Sequence, residues 1–432
     1  MELVGVTPQV VPSIVLGVAT KITLATGGGF AFEKLAGRPN MRGCLADGIK
    51  PAVCFFTDSP SPSGLGEHIL TLAAHLVGSC VISLIAPPSE EGLRLFTRAH
   101  ALGVNPVLLS WTHTRAAFAQ LSEWLRRHGP DVFHIHAGIG WEALSAASVA
   151  REAGIPVVVR TEHLPYLLTQ PEDEARYAAM LPDLDHVICV SDAVRDSFIS
   201  AGVSPSMSAV VPNGITIRTT RHKRAPTRAQ LGLSNTVPVV LTVARLTEQK
   251  GHSTLIDAVP RVLERMPECR FLLVGTGPLE NAIRAAVLRH GIETSVSFLG
   301  YREDVPHLMA AADLLVLPSR FEGLPLVVLE AMAAGLPVIA TRVCGTDQAI
   351  VNRVTGVLIP PDDPVDLAKA ITELLSCAAE RKRLAAGGRA RVCKHFNGAD
   401  MASTTLEIYR SLLQSARYRV PEVVLSSERV RP

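Results

Sequence analysis

A chain of 432 residues, 47% of them apolar, is longer than one hydrophobic core supports, and it predicts two α/β domains. Lys and Arg total 42 against 40 for Asp and Glu, so there is no charge asymmetry of the kind that marks nucleic-acid partners. The eight cysteines, at 44, 54, 80, 189, 269, 344, 377 and 393, form no C-x-x-C pair and lie mostly in apolar runs, the usage expected of reduced thiols in the cytosol.

Residues 3–20 are uncharged, but Pro8, Gln9, Pro12 and Ser13 interrupt them and no basic residue precedes them. Neither a signal peptide nor a membrane span is expected there, and residues 1–48 read as an extension ahead of the fold. From Pro51 onward, short β-branched runs alternate with segments of helical period, the pattern of a parallel sheet covered by helices. The first series is AVCFF (52–56), CVISLIA (80–86), PVLL (106–109), VFHIH (132–136), PVVVRT (156–161), HVICV (186–190) and SAVVP (208–212), with helices such as 113–128 and 143–153 between them. Residues 213–236 then turn polar, basic and proline-containing, which marks a linker with one short helix. A second series follows: PVVLTVA (238–244), RFLLV (270–274), SVSFL (295–299), DLLVL (313–317), PVIAT (337–341) and GVLIP (356–360). The expected division is an extension at 1–48, Rossmann-like domains at 49–214 and 215–397, and a helix with a frayed tail at 398–432.

In open α/β sheets ligands sit outside the carboxyl ends of strands, so the loops that follow the apolar runs carry the candidates. After the first strand, Ser63, Gly64, Leu65 and Gly66 open a helix N-terminus suited to an anion. After VVLTVA, Arg245 and Lys250 stand five residues apart, with Lys250 at a helix start where a cation is disfavoured unless an anion is present. That pair has the chemistry of a diphosphate clamp; the ordinary alternative is two solvated cations. After DLLVLPS comes RFEGLPLVVLEAMAAGLPVIAT, with Glu322 and the amides of Gly323 and Leu324 in the loop. Glu330 then falls inside an otherwise apolar helix at 326–334 and requires a donor, which in the simplest case is a structural ion pair. His163 follows PVVVRT at another carboxyl end. His134 and His136 share a strand face but have no third ligand spaced to join them, so no metal site is expected. Asp183 and Asp185 form a D-x-D ahead of HVICV, at the wrong end of the sheet, and read as a turn.

Together these loops resemble the family 4 retaining glycosyltransferases over roughly residues 52–413. The most specific match is Glu322 and Glu330 within EGLPLVVLEAMAAGLPVIAT, supported by VPNGI (211–215), VARLTEQKG (243–251), LLVGTGPL (272–279), FLGYRED (298–304), ICVSDAV (188–194) and the HIH of the first half. The resemblance implies the GT-B fold, in which two Rossmann-like domains face each other across a deep cleft and the C-terminal helix returns to the first domain. It also implies that Arg245 and Lys250 hold the donor diphosphate and that Glu330 accepts hydrogen bonds from ribose. Glu322 with the backbone at Phe321, Gly323 and Leu324 would hold the sugar, Gly64 and Gly66 would face phosphate and sugar from across the cleft, His163 would contact the sugar, and the backbone at Tyr301 and Arg302 would receive the base. Two positions depart from the family pattern. Ser63 replaces a glycine of the first loop, and Cys344 with Gln348 stands in CGTDQ where G-G-x-x-E is usual, leaving a carboxylate missing near the donor loop.

The implied activity is retaining transfer of a hexose-type sugar from a UDP- or GDP-linked donor to a glycan, lipid or small-molecule acceptor, in polysaccharide or cell-envelope synthesis. No cofactor and no metal are expected, and the setting is cytoplasmic. The linker cations Arg218, Arg221, Lys223, Arg224 and Arg228, with the amphipathic stretch at 124–127, allow a peripheral contact with anionic membrane; a solvated basic loop is the simpler reading. A dinucleotide-dependent oxidoreductase is disfavoured because no G-x-G-x-x-G follows the first strand of either half. A catalytically silent nucleotide-sugar-binding protein of the same fold is the alternative.

Overall fold

Among the described residues the apolar runs form thirteen parallel strands in two sheets. Residues 50–60, 63–109, 114–217 and 223–419 are described by a computed structural model; the expectations placed on residues 1–48 and on Arg218 and Arg221 lie outside them. The strands are β1 (Ala52–Phe56), β2 (Val81–Ala86), β3 (Asn105–Leu108), β4 (Val132–Ala137), β5 (Val157–Glu162), β6 (His186–Cys189) and β7 (Ser208–Val210), then β8 (Val239–Val243), β9 (Arg270–Val274), β10 (Val296–Gly300), β11 (Leu314–Leu317), β12 (Val338–Thr341) and β13 (Val357–Ile359). Buried on both faces, parallel strands need no polar alternation, which is why they read as continuous apolar runs.

The first sheet has the order β3-β2-β1-β4-β5-β6-β7 and the second β10-β9-β8-β11-β12-β13. Both reverse direction beside their first strand, between β1 and β4 and between β8 and β11. The connections leaving those strands on opposite sides of the sheet open a crevice at the carboxyl ends, where ligands of such sheets bind. One apolar cluster runs through both halves, from Phe133 and Val158 to Leu315 and Val338.

Two chain crossings join the halves side by side. The Ile215 amide donates to Phe396 O at 3.0 Å, and the Gly398 amide donates to Ile215 O at 3.0 Å. Helix Gly398–Arg419 then returns to the first half, packing on helix Ser63–Leu76 and on β5. Its Met401, Leu406, Tyr409 and Leu413 complete the apolar cluster beneath β1 and β2. The Tyr409 hydroxyl reaches His134 Nδ1 at 2.5 Å.

The basic linker is not the single surface patch its composition suggests. Arg228 is fully buried, pairing with Asp313 at 2.8 Å and donating to the carbonyls of Ala311, Ser234 and Val237. Arg224 binds the other oxygen of the same carboxylate at 2.7 Å. The Arg228 fork, satisfied by the half-buried Asp313 carboxylate and three carbonyls, anchors the linker helix Arg224–Gln230 to the second sheet and is unavailable to lipid. Among the described residues no helix is long and apolar enough to cross a membrane, and the seven described cysteines are free thiols.

Candidate active site at the crossing points of the two sheets

The loop after β8 brings Arg245 and Lys250 to the crevice. Arg245 is exposed. Lys250 ends the short turn Glu248–Lys250, and Gly251 follows with φ +61° to start helix His252–Arg265. A Cβ at Gly251 would lie 2.0 Å from Pro318 O, so the loops after β8 and β11 touch through a position only glycine can hold. They are also stitched together: the Arg320 amide donates to Gln249 O at 2.8 Å, and Gln249 Nε2 donates to Phe321 O at 3.1 Å.

The anion that the placement of Lys250 requires is supplied from within the chain. Lys250 Nζ lies 2.6 Å from Glu322 Oε1, which also accepts from Ser319 Oγ at 2.7 Å. Glu322 is only 4% exposed, and a carboxylate so buried is tolerable because it is paired and doubly hydrogen-bonded. Pro325 is the N-cap residue of helix Leu326–Ala334, and Glu330 is its one charged side chain, half-buried one turn along.

His163 follows β5 directly, its amide donating to Ala137 O at 3.1 Å. The loop after β11 meets it from the other half: a Cβ on Gly323 would lie 2.0 Å from His163 O. Leu324 O accepts from Asn213 Nδ2 at 2.7 Å, and Asn213 Oδ1 lies 2.9 Å from His68 Nδ1. Of the candidates, residues 322–324 of the second half and His163 of the first therefore meet directly, with Asn213 beside them. Gly64 and Gly66 sit in the first turn of helix Ser63–Leu76, with Gly64 exposed and Gly66 buried.

Tyr301 and Arg302 follow β10 at its carboxyl end. Arg302 is held by both oxygens of Asp304 at 2.7 Å, and Tyr301 is 43% exposed with the guanidinium of Arg94 4.3 Å from its ring centroid. Arg94 belongs to helix Glu90–Ala101 of the first half, so this cation–π contact spans the crevice. Gln348, where the resemblance led us to expect a glutamate, also crosses it: its Oε1 accepts the Asp192 amide at 3.0 Å, at the start of helix Asp192–Ser200. Beside it Cys344 is half-buried, its thiol pushed up to about 11 chiefly by burial.

The D-x-D is a turn at the amino end of β6. Asp185 pairs with Arg151 and accepts the Val158 amide at 2.9 Å, while Asp183 closes a 3-10 turn. The two strand histidines part company. His134 spends both nitrogens, on Tyr409 and on Thr161 Oγ1 at 2.6 Å, whereas neither nitrogen of His136 has a partner among the described residues. No third ligand joins His134 and His136 as a pair, but His136 has other neighbours that the strand pattern did not show: His68 and His163 bring ring nitrogens within 4.8 Å of it and of each other. These residues are 68 and 27 positions away, so local spacing carried no signal of the contact.

Comparison with known proteins places the chain in a family. Residues 62–218 match Glycosyltransferase Family 4, and residues 223–391 match glycosyl transferases group 1. The chain is 30% identical over 317 residues to the D-inositol 3-phosphate glycosyltransferase of Thermobifida fusca, covering 67% of this chain and 72% of the relative. The chain belongs to the family 4 glycosyltransferases. It is also 30% identical over 280 residues to a GDP-mannose-dependent monoacylated alpha-(1-6)-phosphatidylinositol monomannoside mannosyltransferase of Corynebacterium glutamicum, covering 61% of this chain and 73% of that one. Among solved structures, Anabaena Alr3699/HepE in complex with UDP-glucose superposes with a TM-score of 0.72 at 22% identity, over 84% of this chain and all of that one. At that identity the superposition speaks for the GT-B fold alone. This glycosyltransferase therefore has the two facing Rossmann-like halves and the returning C-terminal helix that its motifs imply.

Proposed function

We propose that this glycosyltransferase moves a hexose-type sugar, with retention of its anomeric configuration, from a UDP- or GDP-linked donor to a glycan, lipid or small-molecule acceptor. The supporting relatives act from GDP-mannose or bind UDP-glucose by name, and both donors end in the same ribose–diphosphate–sugar chain. The observation that carries the reading is the convergence of Lys250, paired to Glu322 at 2.6 Å, with the His163 backbone across Gly323. It gathers a cation for the leaving group, a carboxylate for the sugar and a facing histidine at one crevice.

In this reading Arg245 and Lys250 stabilise the departing diphosphate, whose own oxygen takes the acceptor proton as the acceptor attacks from the same face. Glu322 holds Lys250 until the donor arrives, and the diphosphate then competes with that carboxylate for the cation. Glu330 accepts from ribose, the backbone at Tyr301 and Arg302 meets the base, and Gly64 and Gly66 lie opposite the phosphate. Neither metal nor cofactor takes part. The setting is the cytoplasm, in polysaccharide or cell-envelope synthesis, with peripheral membrane contact where the acceptor is a lipid.

A thermal-shift panel of nucleoside diphosphates and their hexose conjugates tests the donor class. A ligand present at a hundred times its dissociation constant adds about 2.7 kcal/mol of stability, a readily measured shift in Tm. UDP, GDP or their sugars should raise Tm while NAD does not. Stabilisation by NAD alone would contradict the reading.

A further inference from the structure

We propose that His68, His136 and His163 form a binding site for one transition-metal ion of the zinc class, and that filling it inhibits transfer. The three residues come from helix Ser63–Leu76, from β4 and from the residue after β5, beside the crossing point of the first sheet. One ring nitrogen from each lies within 4.8 Å of the others.

At His68 the hydrogen bonds fix where the proton sits. Asn213 Nδ2 donates to Leu324 O, so its amide is oriented and its Oδ1 is the acceptor turned toward His68 Nδ1. His68 must therefore carry its proton on Nδ1 and present a bare lone pair at Nε2. A second hydrogen-bonded atom that fixes the tautomer is the usual support behind a metal-ligating histidine. His136 is 0% exposed with both nitrogens lacking partners among the described residues, and the buried Nε2 of His163 also lacks one. His134 stays outside the set because Tyr409 and Thr161 occupy its nitrogens.

The rings are held as neutral bases, the form that binds metal. Burial lowers His68 to about 4 and takes His136 and His163 well below the usual range, opposed at His68 by the Asn213 hydrogen bond. Three neutral imidazoles with no carboxylate suit zinc, cobalt, nickel or copper rather than magnesium or calcium, and leave a fourth position open. Inhibition rests on the proposed contact between His163 and the donor sugar: a metal-bound imidazole has no lone pair left to accept from a sugar hydroxyl. The two ideas are compatible with transfer that needs no metal, since the ion here removes a working residue.

The test uses EDTA-stripped full-length protein with Cys377→Ser and Cys393→Ser, which remove the two exposed thiols among the described residues. Co2+ serves as the probe. One equivalent should bind with visible d–d absorption and no thiolate charge transfer, and Zn2+ should displace it. His136→Phe and His68→Gln should each weaken binding by about tenfold or more. X-ray absorption at the zinc edge, which needs no further variant, should read three imidazole donors. Absence of stoichiometric Co2+ binding, unchanged affinity in both folded variants, or fewer than three imidazoles at the zinc edge would each overturn the site. For inhibition, one equivalent of Zn2+ should lower transfer about tenfold or more and EDTA should restore it. Zinc bound with transfer undiminished would overturn the inhibitory role and the sugar contact of His163 together. Should no donor be used at all, the proposed activity fails while the cobalt titration still decides the site.

Discussion

Glu322 and Glu330 sit on one segment in unlike surroundings, and that difference makes their roles separable. Glu322 is buried against Lys250 and Ser319, whereas Glu330 is half-buried on an apolar helix. Hydrogen bonds to charged groups contribute about 1.5 to 3 kcal/mol each, equivalent to about 10- to 100-fold in affinity, and only for ligands that make them. Glu330→Gln should therefore weaken free nucleoside diphosphate and full donor alike, by about 10-fold, because both contain ribose. Glu322→Gln should leave nucleoside diphosphate affinity level, or raise it as Lys250 loses its internal partner, while donor turnover falls by about 10-fold or more. Calorimetric titration of both variants with both ligands reads this pattern directly. Equal loss of nucleoside diphosphate binding in the two would remove Glu322 from the sugar.

A second residue links the site to pH. His252 opens the helix after Lys250, is 2% exposed, and has its pKa lowered from 6.5 to about 4 by burial, with Lys250 adding to the effect. A histidine depressed in the folded state binds its proton more weakly there than in the unfolded chain. Its stabilising contribution is therefore complete above pH 6.5 and is lost as pH falls toward about 4. The loss is on the order of 3 kcal/mol for this residue alone. Urea denaturation at several pH values should show stability declining across that window, and His252→Leu should flatten the decline. A His252→Leu profile as steep as that of the parent would assign the loss to other groups.

At the scale of elements, the loops after β5 and β11 meet backbone to backbone. Gly323 has no room for a side chain, because a Cβ would lie 2.0 Å from His163 O and 2.8 Å from His163 C, with Val190 Cγ2 at 3.1 Å. Gly323→Ala must push the two loops apart, at a stability cost of about 1 to 3 kcal/mol. Because the displaced loop carries Glu322 and the displaced neighbour is His163, kcat/KM should fall by about 100-fold, the usual penalty for a misplacement of about 1 Å. Unchanged kinetics in a folded variant would mean that this contact is not part of the working geometry. The elements themselves were legible. Each strand read from an apolar run is present, shifted by a residue or two at its ends, because a buried parallel strand needs only a short β-branched stretch. Helix Leu326–Ala334 was also legible, being apolar throughout apart from Glu330.

What could not be read were contacts between distant segments. The burial of Arg228 against Asp313 looked like part of a solvated basic linker, since charge composition does not reveal a carboxylate 85 positions away. The meeting of His68, His136 and His163 has the same cause: the order in which strands lie in a sheet brings residues together without regard to spacing along the chain. Gln348 is a third case. From the sequence it registered only as a missing acid, but in place its amide oxygen accepts the Asp192 amide across the crevice.

At the scale of the whole molecule, the two halves are joined by neighbouring crossings at Ile215 and Asn397, and by contacts that can part and reform at the crevice, among them Arg94 with Tyr301 and Gln348 with Asp192. That layout suits closure of one half on the other around a donor, excluding water from a departing diphosphate. In the proposed reaction this crevice supplies cations in place of a metal for a same-face displacement. The most direct measurement follows transfer from UDP- and GDP-linked hexoses in EDTA, reading the anomeric configuration of the new bond by proton NMR as it forms. Transfer should persist under chelation and give an α-linked product from an α-linked donor. An inverted product, or activity abolished by EDTA and restored by manganese, would contradict it.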